Sequence, residues 1–157
     1  MSDSILIKQV SIANEDNSEL LVSDVLIEDG IIKSVSDNLT APNNSRTIEA
    51  AGKVLLPGLY DVHVHFREPG QTSKETIATG TEAAINGGVT GVVAMPNTIP
   101  AIDSGGMVKS VLETARRDSR INFLTTGCIT KGREGKEMAA ISGMKEAGVA
   151  MITDDGS

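Results

Sequence analysis

Aromatic residues are nearly absent from this 157-residue chain: Phe66, Phe123 and Tyr60 make up 2% of it, and there is no tryptophan. Its core must therefore come from Val, Ile, Leu, Ala and Met, as in buried parallel strands. Platforms for stacking nucleic-acid bases are missing. Positive charge is also sparse: 14 Lys and Arg face 21 Asp and Glu, a net charge of −7. Such a balance repels phosphate backbones and anionic lipid, so neither nucleic acid nor membrane is expected as a partner. The one cysteine, Cys128, has no mate for an internal disulfide. It lies in the apolar run 121–129, reads as a small buried hydrophobe and fits a reducing compartment. No apolar run approaches the roughly 20 residues needed to cross a bilayer. The start, Met-Ser-Asp-Ser-Ile-Leu-Ile-Lys, lacks the basic opening and long apolar stretch of a signal peptide. The expectation is a cytoplasmic protein.

What remains is an ordinary globular composition, 39% hydrophobic and 22% charged. Two textures divide it. Residues 5–12, 20–27 and 31–35 read as short strands, with Asp29-Gly30 as a hairpin turn and 14–18 as a polar loop. From Pro57 onward, strand and helix alternate about every thirty residues, the rhythm of βα units in a parallel sheet. Strands are expected at 58–66, 89–95, 121–129 and 149–153. Helices are expected at 73–86, 104–118 and 135–147, with Ser73 and Ser104 as N-caps and Gly87-Gly88 and Gly148 as stops. The fold class is thus α/β. Residues 1–55 form a small β module, and 56–157 hold four βα units. A (β/α)8 barrel takes roughly 250 residues, so the segment corresponds to the first half of one, broken off after strand four.

The chain has only two histidines, His63 and His65, and both stand at the end of the first barrel-type strand. Strand alternation puts them on one face, with Val62, Val64 and Phe66 on the other. A single histidine on an apolar strand reads as a satisfied core residue. Two side by side would each require a buried hydrogen-bond partner and would gain nothing over Val or Leu. Neutral imidazoles are, however, the commonest metal ligands. The C-terminal mouth of a parallel barrel is also where that fold keeps its active sites.

His63-Val-His65 followed by Arg67-Glu-Pro-Gly70 resembles the metal-binding signature of the dihydroorotases, in the amidohydrolase superfamily. Met95-Pro-Asn-Thr98 and Asp154-Asp-Gly156 resemble the second and third segments of that family. The resemblance spans essentially the whole chain. It implies a (β/α)8 TIM-type barrel preceded by a small β-sandwich module that members assemble from N-terminal and C-terminal segments. It also implies reversible, zinc-dependent hydrolysis of the cyclic amide of L-dihydroorotate to N-carbamoyl-L-aspartate in pyrimidine synthesis.

By motif match, His63, His65 and Asp155 are metal ligands for one or two zinc ions per subunit. Asp155 stands where much of the superfamily bridges its metals with a carboxylated lysine. His65, Arg67 and Asn97 are substrate-binding residues, holding the substrate carboxylate as a planar guanidinium can. On its residues alone Asp154 reads as a loop cap, Asp61 as a possible imidazole partner, and Glu68, Pro69 and Gly70 as turn residues. Met95, Met144 and Met151 read as core. The resemblance places further metal ligands and the proton-shuttling aspartate on later strands. No catalytic acid or base is therefore expected in these 157 residues, and the portion alone is expected to be inactive. It further implies a homo-oligomer and, in some members, association with aspartate transcarbamoylase. Two other readings stay open: a hydantoinase, dihydropyrimidinase or allantoinase, whose substrates lack the carboxylate that Arg67 would hold, and a non-catalytic homologue serving as a scaffold for aspartate transcarbamoylase.

Overall fold

The computed structural model describes residues 4–13 and 19–156, and the polar stretch 14–18 falls outside them. The chain divides into two compact units, one ending at Pro57 and one beginning at Gly58.

The first unit is a single mixed sheet of five strands: β1 (Ser4–Ile12), β2 (Leu21–Glu28), β3 (Ile31–Ser36), β4 (Arg46–Glu49) and β5 (Val54–Leu55). Its order is β3-β2-β1-β4, with β5 also on β1. Asp29 and Gly30 both take positive φ, 51° and 76°, as a two-residue turn matched to strand twist requires. Strands β4 and β5 pair in parallel with β1 and are too short to show a period in the sequence. Strand β1 bulges near Gln9, where the Gln9 N–H donates to the Asp24 carboxylate at 2.8 Å and Leu39 N donates to its other oxygen at 3.0 Å. Asp24 is thus buried with both oxygens satisfied, beside a core of Val10, Val25 and Ala50.

The second unit alternates β6 (Leu59–Val64), α1 (Ile77–Asn86), β7 (Val89–Ala94), α2 (Gly105–Asp118), β8 (Asn122–Gly127), α3 (Ile141–Glu146) and β9 (Met151–Ile152). The four strands are parallel and lie in sequence order, β6-β7-β8-β9. A doubly wound sheet would reverse its order partway, whereas this succession is that of a (β/α) half-barrel. Its core comprises Phe66, Ile77, Val92, Ala94, Ile102, Val108, Val111, Ala115, Ala139 and Met144. The two phenylalanines stack within it, ring centroids 5.9 Å apart.

Three sequence expectations need correction. Helix α1 is capped by Thr76 rather than Ser73: the Thr76 and Thr79 side chains each bond the other's backbone N–H, and Glu68 accepts from Ile77 N at 2.9 Å. The carboxylate of Glu68 fits there because the start of a helix presents unpaired N–H groups. The third helix occupies only Ile141–Glu146, since residues before it form a short 3-10 turn, Lys131–Arg133, and a loop with left-handed Gly132, Arg133 and Gly135. Met151 is 45% exposed rather than core, while Met95 and Met144 are buried. Ser104 caps α2 as expected, accepting from Met107 N.

Helix α1 approaches the sheet so closely that a methyl group on Gly80 would meet the Phe66 ring at 2.2 Å. Overpacking of this kind costs about 1–3 kcal/mol. Gly80→Ala is therefore expected to lower the midpoint of thermal unfolding, because its gain in helix propensity, about 1 kcal/mol at most, does not offset the clash. A calorimetric midpoint at or above wild type would contradict this packing.

Candidate metal centre

Strand β6 loses its regular pairing with β7 between Asp61 and Val64. The irregularity redirects side chains: Val64 packs on the helix-side core and Phe66 is buried, while Val62 is 61% exposed. A β-bulge commonly re-aims a side chain beside a functional site. Here the backbone N–H of His63 donates to the Asp61 carboxylate at 3.0 Å. Asp61 thus holds the main chain at the bulge, not an imidazole as the sequence suggested.

Both imidazoles point to one place. His63 Nε2 and His65 Nε2 are 3.2 Å apart, and each lies 3.4 Å from a different carboxylate oxygen of Asp155. Asp155 arrives from the turn after β9, because parallel strands in sequence order bring their C-terminal ends together. The three side chains are 54%, 32% and 26% exposed, so the cluster is open to solvent and to a ligand.

Asn97, in the turn after β7, fixes one ring. Its amide oxygen only accepts, so His65 Nδ1–H donates to it at 2.9 Å. In a neutral ring this leaves the lone pair on Nε2, facing His63 and Asp155. A bond from the distal imidazole N–H is the usual device for orienting a metal-ligating histidine. Four tetrahedral ligands at roughly 2.0–2.1 Å from a zinc ion stand about 3.3–3.4 Å from one another. The observed 3.2 and 3.4 Å separations match such edges. Two nitrogens and a carboxylate are also a donor set zinc accepts. The residues present therefore fit a metal ion.

Arg67 is half-buried, and its guanidinium makes no hydrogen bond or ion pair with the described residues. Asp154 turns away from the cluster. Its carboxylate accepts from Ile129 N at 2.9 Å, Thr130 N at 3.1 Å and Thr130 Oγ1 at 2.7 Å, the loop-capping role read from the sequence. The Thr130 hydroxyl bond foremost, then the two backbone N–H groups and the nearby Arg133 charge, hold Asp154 below the usual carboxylate pKa. Glu68, a turn residue as read from the sequence, also caps α1, and one contributor had no sequence signal: Arg133, whose Nη1 donates to the Asp155 main-chain oxygen at 3.1 Å.

Cys128 is fully buried, and burial pushes its thiol up to about 11. Alkylation of the folded protein at pH 8 is expected to be far slower than after denaturation, because the thiolate is the reactive form. Equal labelling rates in the two states would contradict the burial.

The sequence profile described as dihydro-orotase-like matches residues 52–157. The chain belongs to the dihydro-orotase-like family. Similar relatives include the dihydroorotase of Sulfurihydrogenibium sp. (strain YO3AOP1), 44% identical over 98% of this chain and 36% of its own length. The dihydroorotase of Aquifex aeolicus (strain VF5) is 46% identical over 85% of this chain and 32% of its own length. The chain thus spans about a third of the curated relatives it matches. Among solved structures, a D-hydantoinase (dihydropyrimidinase) from Thermus sp. superposes with a TM-score of 0.69 over 90% of this chain and 30% of its own, at 27% identity. An L-hydantoinase (dihydropyrimidinase) from Arthrobacter aurescens reaches a TM-score of 0.81 over 97% of this chain and 32% of its own; at 24% identity it speaks for the fold alone. In this dihydro-orotase-like chain no helix among the described residues is long and apolar enough to cross a membrane.

Proposed function

We propose that the protein carrying this chain is a cytoplasmic, zinc-dependent dihydroorotase that reversibly hydrolyses the cyclic amide of L-dihydroorotate to N-carbamoyl-L-aspartate. In this reading residues 1–55 are a small β module and 56–157 the first four βα units of a (β/α)8 barrel. The observation that carries it is the convergence of His63, His65 and Asp155 within 4.8 Å, in a chain that also holds Arg67, whose guanidinium makes no bond with the described residues.

A zinc ion on these ligands would supply Lewis acidity and lower the pKa of water to near 7, as opening a stable cyclic amide requires. The chain's own residues prepare the rest. Asn97 holds His65 in the tautomer whose Nε2 is a ligand, and its own Nδ2 keeps N–H donors for substrate. Arg67 receives the substrate carboxylate, and with His65 and Asn97 it orients the ring so that the scissile amide faces the ligand cluster. The two oxygens of Asp155 face different imidazoles, and a carboxylate so placed is suited to one ion or to bridging two. The acid and base for proton transfer lie outside this chain in this reading, so the chain expressed alone is expected to be inactive. A homo-oligomer, and in some settings aspartate transcarbamoylase, are the proposed partners.

Likeness to the solved D-hydantoinase at 27% identity favours a second reading, in which the substrate is a neutral cyclic amide. The higher identity to curated dihydroorotases and the presence of Arg67 favour the first. Turnover of dihydroorotate, hydantoin and allantoin by the full-length protein tests it. Dihydroorotate is expected to lead by roughly tenfold or more in kcat/KM, the worth of a charge-assisted clamp. A preference for hydantoin would reverse the assignment. Full-length protein purified without stoichiometric metal would instead indicate a scaffold.

A further inference from the structure

The loop between β8 and α3 grips the turn that carries Asp155 from two sides. On one side the Asp154 carboxylate takes three donors from Ile129 and Thr130. On the other, Arg133 Nη1 reaches the main-chain oxygen of Asp155 at 3.1 Å. The loop is itself anchored: Gly132 N donates to Asp103 at 3.0 Å and Gly135 N to Thr130 Oγ1 at 2.9 Å. Arg133 holds a left-handed backbone with φ of 64°, a conformation that disfavours any side chain but glycine and costs on the order of 1 kcal/mol or more. That backbone aims the guanidinium at the turn. Gly156, with φ of 81°, leaves room for it: a methyl group there would lie 3.3 Å from Arg133 Nη1 and 2.7 Å from Asn97 Nδ2. Main-chain bonds flank Asp155, since its own N–H donates to Thr153 Oγ1 at 3.1 Å. The side chain is thereby presented to the two imidazoles by a backbone fixed before and after it.

We propose that Arg133 is a positioning residue, which together with the Thr130–Asp154 contact clasps the 154–156 turn and sets the Asp155 carboxylate against His63 and His65. Its consequence for metal rests on the proposed metal site. The Arg133 guanidinium bonds the main chain of Asp155 and Thr130 bonds Asp154, so both act on the ligand cluster through the backbone that carries the Asp155 carboxylate.

The test uses full-length protein reconstituted with zinc, and with cobalt(II) as a spectroscopic probe, in wild type, R133M, R133K, T130V and H63A. Affinity is read by chelator competition, geometry by the visible cobalt bands, and folding by circular dichroism. R133M is expected to bind metal roughly 10–100-fold more weakly, the usual effect of losing a group that orients a ligand, and to shift the cobalt bands. R133K, which keeps a charged donor, is expected to recover part of both. Wild-type affinity and an unshifted spectrum in R133M would overturn the proposal, even if its thermal midpoint fell. If R133M does not fold, T130V decides, because it removes the shortest of the three bonds to Asp154 in the other half of the clasp: several-fold weaker binding supports the proposal and unchanged binding overturns it. H63A separates the two layers. Metal retained in H63A means that the metal-site reading has failed, whereas metal lost there but unaffected in R133M and T130V means that only the clasp has.

Discussion

Replacing His63 with alanine in the full-length protein is expected to remove metal and activity together while leaving the fold intact. The side chain is 54% exposed and belongs to no core cluster, so its loss opens no cavity. Its backbone N–H still reaches Asp61 in the variant, because that bond does not involve the imidazole. What disappears is one nitrogen of the three-residue cluster, leaving His65 and Asp155. Removing groups that merely orient ligands lowers metal affinity by about 10–100-fold, and removing a ligand should exceed that range. Metal per chain after dialysis, and turnover of dihydroorotate on the same sample, give the readout. An H63A protein with full metal would take His63 out of the site, and one with lost metal but retained turnover would separate metal from catalysis. Circular dichroism should stay at wild-type values, which distinguishes a lost ligand from a lost fold.

The histidine pair was legible because strand alternation is a local rule and two residues is its period. The bulge beside it was not, since mispairing with β7 depends on a strand far along the chain. The αβ alternation and the parallel order followed from spacing and from glycine stops, with Gly88 and Gly148 both left-handed. Helix α3 is shorter than its sequence pattern because Thr130 bridges Met138 and Ala139 N bonds Ile129, drawing the preceding residues into a loop. Tertiary bonds there overrode a local preference. Asp155 was reached through family resemblance alone. No spacing links it to His63 and His65, and only the closing of successive strand ends does so. Arg133 had no signal of any kind, because a guanidinium bonding a main-chain oxygen leaves no pattern in the acceptor's sequence.

Arg67→Met is expected to separate substrate binding from metal binding. Methionine keeps much of the unbranched stem and its packing while deleting the charge and the donors. The guanidinium makes no bond with the described residues, so its removal strands no partner, and metal content should remain near wild type. Loss of a charge-assisted hydrogen bond to the substrate carboxylate costs roughly 1.5–3 kcal/mol, about ten to a hundredfold in an equilibrium constant. That loss should appear in kcat/KM for dihydroorotate. If the contact holds ground and transition states alike, KM rises and kcat stays; if it also orients the amide toward the ligand cluster, kcat falls as well. Arg67→Lys keeps the charge but not the two-pronged geometry and should fall between the two. Hydantoin, which lacks the carboxylate, provides the internal control, since any turnover of it should be unmoved by the substitution. Full metal with unchanged kcat/KM for dihydroorotate in Arg67→Met would remove Arg67 from the site and shift the balance to a hydantoinase.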